Sequence, residues 1–598
     1  MKRSKVKKWF QNIALMLRPV WKQDKLYFFV YIMWDCIYGP LSTMLYVFLM
    51  QIALDQLSSG AEINTIAATL FFFFICELLL SIGGTMLFSL YFNQCRVKII
   101  ASVNTKICEH IKYTDYRYFD DPDYYDEYTV SYAQYANKSM EAFERFSGML
   151  STVITIGTLI GYIMSSTIYA ILITFVSVVI KVLIDKVINK IDIKKEEESA
   201  PVERRSGYYR GILCSRDAAM DIKSTNIYQI LMEHYRRSTQ QGIEINLKYG
   251  KKTTRWSAVQ DFALQGSSLA IRMIVCGMIF AGKVGVGSFV SLLSAANSLA
   301  WKIQGISKIY AAFDKFALYG EKIKHFMNQP CAIEQQAVDK KRILMKEGQP
   351  FSVVFDNVGF SYENSSFLIK HLSFSINKGQ KIAIVGENGC GKTTLTKLLL
   401  RLYDPNEGEI MINGIPLKNI NLATYRANVG IAFQDSLVYS LPLRENLSAY
   451  QMLKNSEDLG EFSESSIGEI LKKNDATLDT DVSKYFSKDG IVLSGGEKQQ
   501  VAVSRLFTKE FGLLIFDEPS SALDPFAEEK LNQMIFDRAN KTTTILISHR
   551  LSNVVKADCI YVMKNGEIVE KGTHAELLVA DGVYSEMFLL QAKNYQKS

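Results

Sequence analysis

The run Gly386, Glu387, Asn388, Gly389, Cys390, Gly391, Lys392, Thr393, Thr394 constrains this chain more than any other part of it. It fits the pattern G-x-x-x-x-G-K-[ST], and its surroundings are the ones the pattern requires. The apolar Ile382–Val385 before it reads as a buried strand, and Leu395–Leu400 after it as a helix. Glycines let the backbone wrap a phosphate chain where a side chain would block the approach. The loop N–H groups and the helix dipole face anionic oxygens. Lys392 is a point charge for terminal phosphates, and the Thr393 hydroxyl suits a magnesium ion.

Composition matters here because it is uneven. Hydrophobic residues make up 48% and charged residues 22% of 598, yet the first 320 or so hold long apolar runs and the remainder reads as a soluble α/β protein. Part of the net charge of +7 sits at Lys2, Arg3, Lys5, Lys7 and Lys8. A basic start beside a membrane span marks a cytoplasmic end. No aromatic-interleaved basic motif accompanies it, so a nucleic-acid partner is not expected. The nine cysteines are scattered without metal-ligand spacing, which fits a reducing compartment. The basic start has no small-residue cleavage site after it, so no signal peptide is expected.

Residues 1–25 suit a short interfacial helix, and 26–320 a membrane domain. Six spans are expected near 26–54, 66–92, 148–164, 168–187, 258–281 and 284–312, with Ser, Gln, Lys and Arg interrupting the later ones. Each crosses, or nearly crosses, roughly 30 Å of hydrocarbon at about 1.5 Å per residue. Short turns join them in pairs, whereas 93–145 and 189–256 are long, polar and helix-compatible. With six spans both termini and both long connections share one side, the cytosol. Asp35, Glu77, Arg272 and Lys302 fall inside expected spans. A central charge costs about 2.5–3.5 kcal/mol on insertion scales, so the four are candidates for a polar cavity; snorkelling and helix–helix pairing are the plainer alternatives. Residues 321–350 read as a charged linker, and 351–598 as an α/β domain with hairpin signals at Asn413-Gly414 and Asn565-Gly566.

Further stations follow the glycine loop in order. Gln434 ends the strand-like Val429–Phe433. Leu493, Ser494, Gly495, Gly496 and Glu497 open a helix and make a second anion site. Leu513–Phe516 is a buried strand ending in Asp517 and Glu518, one carboxylate for magnesium and one for a water attacking a γ-phosphate. Ser521, Ala522, Leu523 and Asp524 come next, and Thr544–Ser548 is a strand with His549 at its carboxyl end, the edge where open α/β sheets bind ligands. Alone, Gln434 or His549 is more often structural; in this order the functional reading prevails.

With those residues in place, the last 245 or so residues resemble the nucleotide-binding domain of ATP-binding cassette (ABC) proteins. The resemblance implies ATP and Mg2+ as ligands. Gly386–Thr394 becomes the Walker A loop, Gln434 the Q-loop residue and a magnesium contact, and Leu493–Glu497 the signature that closes over the ATP of a partner chain. Asp517 ends Walker B, Glu518 is the catalytic carboxylate, Ser521–Asp524 the D-loop and His549 the switch histidine. Tyr362 falls where the family stacks an aromatic on adenine. The N-terminal half is similar, more loosely, to the domain-swapped six-span domain of ABC exporters, with coupling helices near Asp121–Tyr128 and Tyr209–Ala219.

The resemblance implies a bacterial half-transporter in the cytoplasmic membrane, surrounded by lipid and working as a homodimer, because every hydrolytic motif is present. The expected activity is ATP-driven export of an amphipathic peptide, lipid or drug; an ATP-gated channel or sensor and, less readily, an importer are the alternatives. Glu497 and Gln500 depart from the Gln and Arg commoner at those positions. Cys390, beside a helix N-terminus, is a candidate reactive thiol whose alkylation is expected to block hydrolysis, with ATP protecting.

Overall fold

A computed structural model of the chain describes residues 2–166, 168–216, 218–280, 285–329, 331–334, 342–362, 368–451, 466–520, 525–538 and 542–596. It divides into two units, Met1–Ile111 with Asp126–Asn328, and Lys112–Tyr125 with Gln329–Ser598. The division is therefore not a single cut: a short piece of the first long connection belongs with the C-terminal unit.

The first unit is helical. Its elements are α1 (Lys2–Gln23), α2 (Lys25–Ser58), α3 (Ile63–Met86), α4 (Asn93–Lys112), α5 (Pro122–Ser166), α6 (Ile168–Leu213), α7 (Ala219–Ser224), α8 (Ile227–Phe280) and α9 (Val286–Met327), with a π turn at Leu87–Phe92 joining α3 to α4. Asp24 separates α1 from α2 and caps the latter, its Oδ1 accepting the Tyr27 N–H at 2.9 Å. The stretches Lys25–Ser58, Ile63–Lys112 and Gln134–Ser165 are long and apolar enough to cross a membrane. Of the six expected spans, those three meet the test among the described residues. The other three form parts of α6, α8 and α9, helices of 46, 54 and 42 residues in which the apolar part is continuous with charged legs. On α3 no side chain is buried, and Phe71, Phe72, Phe74 and Leu79 are exposed. An apolar surface of that kind is suited to hydrocarbon or to another helix, not to water.

Packing within this unit joins distant parts of the chain. Val47 of α2, Leu159 and Ile163 of α5, and Leu292, Ala295, Ala296 and Leu299 of α9 form one core. Gly287 lets α9 approach α2, since a Cβ there would lie 2.3 Å from the Gln51 carbonyl oxygen, and Asp55 Oδ1 accepts the Gly287 N–H at 3.0 Å. A second core places Ile13 and Met16 of α1 against Phe313, Phe316, Ala317 and Ile323 of α9. Helix α9 thus runs to Met327, past the expected boundary at 320. The charges that disguise its helical period lie on its outer face, where Lys315 pairs with Glu196 at 2.7 Å and Glu321 with Lys8 at 2.6 Å. The short helix after α6 is Ala219–Ser224, just beyond the expected Tyr209–Ala219, and a 3-10 turn at Tyr116–Asp120 precedes the expected Asp121–Tyr128.

The second unit contains two sheets. The antiparallel one has the order β2-β1-β4-β5, from β1 (Val353–Phe360), β2 (Ile369–Ile376), β4 (Glu407–Ile412) and β5 (Ile415–Pro416). The larger has the order β10-β9-β3-β8-β7-β6, from β3 (Lys381–Gly386), β6 (Val429–Ala432), β7 (Leu513–Asp517), β8 (Thr543–Ile547), β9 (Cys559–Lys564) and β10 (Glu567–Gly572). Strands β9, β3, β8, β7 and β6 are parallel, and β10 returns antiparallel. Helices α10 (Lys392–Leu399), α11 (Leu422–Ala427), α12 (Leu443–Leu447), α13 (Ser466–Lys473), α14 (Gly495–Ser504), α15 (Pro525–Arg538), α16 (His574–Val579) and α17 (Val583–Gln596) complete it. Hairpins form at Asn413-Gly414 and Asn565-Gly566, where all four residues have positive φ as a tight hairpin turn requires.

Lys112–Tyr125 is held within this unit by Asp115, whose Oδ1 accepts the N–H groups of Ile333 and Glu334 at 3.1 and 2.9 Å. Arg426 then ties Glu334 to the sheet domain. Its Nη1 donates to both carboxylate oxygens at 2.7 and 3.0 Å, while Nε and Nη2 satisfy the Leu400 and Arg401 carbonyls that end α10. Arg426→Met strands two carbonyls and a mostly buried carboxylate. It is expected to destabilise the second unit by about 2 kcal/mol, seen as an earlier midpoint in chemical denaturation; an unchanged midpoint contradicts this.

Candidate nucleotide site

The parallel strands carry the candidate groups to one edge. Ile384 of β3 is opposite Ile547 of β8, which is opposite Asp517 of β7, and Phe516 is opposite Ala432 of β6. The next residues in each chain segment are the glycine loop, Ser548-His549, Glu518 and Phe433-Gln434. All emerge at carboxyl ends, where a ligand meets loop backbone and not strand faces.

The loop from Gly386 to Gly391 folds around its own lysine. Lys392 is buried, and its ammonium donates to the carbonyls of Gly386 at 2.8 Å and Glu387 at 3.0 Å. A terminal phosphate would exchange those neutral acceptors for charged ones, which bind an ammonium more strongly. Gly386 has φ of 156° and no room for a Cβ, which would lie 2.3 Å from the Met563 carbonyl. Gly389, at φ of 83°, has open space around it. Glu387, Asn388 and Thr393 are exposed, and Thr394 is buried. Thr394 Oγ1 lies 3.4 Å from the Tyr362 hydroxyl, which joins the candidate adenine aromatic to the loop. The Tyr362 ring meets Phe360 and Tyr403 edge-on at 5.0 and 5.4 Å, with Lys397 Nζ 5.4 Å from its centre.

Cys390 departs from expectation. It is buried, and burial outweighs the neighbouring Lys392 to push its thiol above the usual range. A thiol of this kind is not activated.

Glu518 gathers the other groups. Its Oε2 accepts from Gln434 Nε2 at 2.9 Å and lies 3.1 Å from His549 Nδ1. Its backbone is left-handed (φ of 51°), unusual for a glutamate, and turns the chain sharply after β7. Two backbone bonds hold the turn: Glu518 N–H to the Ile547 carbonyl at 2.9 Å, and Gln499 Nε2 to the Glu518 carbonyl at 3.0 Å. Gln499 lies two residues past the signature run Leu493–Glu497, and the sequence alone assigns it no role. Asp517 is buried beneath, and burial together with the adjacent Glu518 pushes its carboxyl up to about 6, Lys392 opposing. Asp517 at the end of β7 and the Thr393 hydroxyl on the helix packed against that strand are oxygen groups of the kind Mg2+ takes.

The signature residues lie elsewhere. Leu493 is buried, and Ser494 caps α14 with Glu497 in a reciprocal box: Ser494 N–H to Glu497 Oε2 at 2.8 Å, and Glu497 N–H to Ser494 Oγ at 3.3 Å. Lys473 Nζ bonds Glu497 Oε1 at 2.7 Å. Burial of Glu497 is outweighed by the Lys473 and Ser494 bonds, which hold its carboxyl below the usual range. A charged residue at the end of this motif thus has a local partner. Among the described contacts none joins Leu493–Glu497 to the glycine loop, and Ser521, Ala522, Leu523 and Asp524 lie outside the described residues.

Nor are the four intramembrane charges gathered. Asp35 Oδ2 accepts from Ser147 Oγ at 2.8 Å, and its carbonyl from Ser151 Oγ at 2.6 Å, which is helix–helix bonding between α2 and α5. Glu77 and Arg272 are exposed and Lys302 half-buried, and no described contact links any two of the four.

A glycine loop, paired carboxylates and a histidine at one sheet edge, on a chain with membrane-length apolar helices, define a membrane-bound transport ATPase. The ABC transporter family model matches residues 369–521. The chain is 30% identical to the subtilin transport ATP-binding protein SpaT of Bacillus subtilis over 84% of its own length and 82% of the relative's. It is 27% identical to the nisin transport ATP-binding protein NisT of Lactococcus lactis subsp. lactis, over 89% and 88%. A bacterial Atm1-family ABC exporter solved with ATP bound has the same fold, with a TM-score of 0.76, 22% identity and coverage of 94% of this chain and 98% of that one. This chain belongs to the ABC transporter family. It has the half-size exporter fold, with membrane and nucleotide-binding domains on one polypeptide, and it is a transport ATPase.

Burial of Cys390 generates a test against internal standards. Without nucleotide at neutral pH, a maleimide is expected to label Cys390 at least about tenfold more slowly than the exposed Cys108 and Cys214, as mass spectrometry of quenched time points would read. Equal rates would contradict the burial argument.

Proposed function

We propose that two copies of this chain export an amphipathic solute across a bacterial cytoplasmic membrane by alternating access, with both termini in the cytosol. A peptide, lipid or drug cargo suits such a transporter. The two relatives named for subtilin and nisin transport favour a peptide. The observation that carries the reading is the convergence of Gln434 and His549 on one oxygen of Glu518, beside a lysine held by its own loop.

In this reading Tyr362 stacks on adenine and the loop Gly386–Thr394 wraps the phosphates, with Lys392 turning from the Gly386 and Glu387 carbonyls to the terminal phosphates. Glu518 orients the attacking water and takes its proton, and His549 and Gln434 hold Glu518 and sense the γ-phosphate. Thr393, Asp517 and Gln434 would hold Mg2+, which would supply positive charge against the charge developing on the phosphates. Ser494 and Gly495–Gly496 present helix N–H groups to the nucleotide of the partner copy, and Ser521–Asp524 would lie along that interface. ATP then stabilises the closed pair by binding it better than the open one, and hydrolysis releases it.

Glu518→Gln is expected to bind ATP but to lower hydrolysis at least about a hundredfold, accumulating a closed dimer visible by crosslinking; normal turnover would overturn the assignment. For transport, inverted vesicles holding the chain are expected to accumulate an amphipathic peptide when given Mg-ATP, and not when they hold the Glu518→Gln chain. ATP-dependent conductance without accumulation would mark a gated channel instead.

A further inference from the structure

We infer that Gln591, on the C-terminal helix α17, is a positioning residue for His549. The inference rests on the reading of Glu518 and His549 as the hydrolytic pair, and it adds a group from outside every motif.

His549 follows β8 by two residues, beyond the last residue, Ile547, that pairs with β3 or β7. Its side chain is 47% exposed, so packing alone does not fix the ring that must sit 3.1 Å from Glu518 Oε2. Placement depends on the backbone of Ser548–Leu551. Ser548 braces part of it: its N–H reaches the Ile384 carbonyl at 3.3 Å, and its hydroxyl accepts from the Arg550 N–H and donates to the Arg550 carbonyl at 3.0 and 3.1 Å. The His549 carbonyl and the Leu551 N–H are then bound by a single side chain. Gln591 Nε2 donates to the His549 carbonyl at 2.7 Å, and its Oε1 accepts the Leu551 N–H at 3.0 Å. A planar amide offering one donor and one acceptor reproduces what a neighbouring strand would supply to residues i and i+2.

Such a brace works only if its own base is fixed, and α17 is. Tyr584 is fully buried, its hydroxyl 2.8 Å from His574 Nδ1. Glu570 accepts the Val583 and Tyr584 N–H groups at the start of the helix. Met587 and Phe588 pack on the core that includes Phe516 of β7 and Leu546 of β8. The sheet that delivers Glu518 and His549 therefore also anchors the helix that delivers Gln591. Without the amide, the loop is released on one side and the ring drifts from Glu518, and displacements of this kind reduce turnover more than binding.

Gln591→Met keeps the bulk and removes both bonds; Gln591→Glu keeps only the acceptor for Leu551. In the full-length chain reconstituted in lipid, Gln591→Met is expected to lower kcat for ATP about tenfold with KM within about twofold, and Gln591→Glu to lower kcat as well. Because Gln591 acts through His549, His549→Ala/Gln591→Met is expected to hydrolyse ATP within about twofold of His549→Ala alone under single turnover. Two outcomes overturn the inference while the hydrolytic reading stands: Gln591→Met and Gln591→Glu both within about twofold of the unmodified kcat, or a loss of equal size in both backgrounds. If His549→Ala itself keeps full turnover, the reading of His549 fails first, and the inference falls with it.

Discussion

Register between four parallel strands is what the nucleotide site depends on. Ile384, Ile547 and Asp517 stand in one row across β3, β8 and β7, with Phe516 one step back opposite Ala432 of β6. Because the strands end together, the loops after them begin together. Lys392, Gln434, Glu518 and His549 can then meet although they span more than 150 positions of sequence. A slip of one residue in any strand would turn its side chains to the opposite face and pull one group out of the set. The rows are held by buried apolar residues on both faces, with all of β7 and β8 buried, as a sheet covered on both sides requires. The bonds from Glu518 N–H to Ile547 and from Ser548 N–H to Ile384 extend the pairing just past the strand ends. They carry the register from the sheet into the chemistry.

Legibility from the sequence follows how local each feature is. The glycine loop is legible because φ near 83° and 110° at Gly389 and Gly391, and the lack of room at Gly386, demand that residue type at those positions. Strands β3, β6, β7 and β8 are legible because strands buried on both faces read as continuous apolar runs. Features made by tertiary contact were hidden. The helical period of α9 across the expected boundary at 320 is carried by Phe313, Phe316, Ala317 and Ile323, but Lys315 and Glu321 make the stretch look unpatterned. Grouping of Lys112–Tyr125 with the C-terminal unit rests on side chains that meet partners more than 200 positions away: Asp115 on two N–H groups, and Asp120 on Lys397 and Tyr403. Gln591 acts through amide bonds to backbone, which leave no spacing to read, and Gln499, though it follows the signature run, has a bond to the Glu518 carbonyl that the run does not announce.

Charges inside the membrane domain show the same limit from the other direction. A sequence marks Asp35 as costly, and the cost has a local resolution: hydroxyls of Ser147 and Ser151 on the neighbouring helix supply its carboxylate and carbonyl with donors. Asp55 is similar, spending one oxygen on the first turn of α9 at Gly287. In hydrocarbon an unsatisfied polar group is expensive, so an acidic residue that finds a donor on a neighbouring helix fixes the pairing of the two. The acids on α2 therefore act first as helix connectors. A cavity role for them would require those same bonds to be exchanged for bonds to cargo.

In the proposed reading the glycine loop offers one side of a nucleotide site. Lys392 spends its charge on two of its own carbonyls, and the helix N-terminus that could meet a γ-phosphate from the opposite side, at Ser494, is occupied with its own capping box. That box takes up the Glu497 N–H, and the Ser494 carbonyl takes the Lys498 N–H, so the first N–H groups of the turn, at Gly495 and Gly496, are outside it. Within one chain these N–H groups and the lysine share no described contact. A second copy turned face to face would bring them to opposite ends of one phosphate chain, and the free energy of nucleotide binding would then be available for closing the pair. On the two-copy reading proposed above, the coupling of ATP to movement begins with an arrangement in which neither copy satisfies the nucleotide alone.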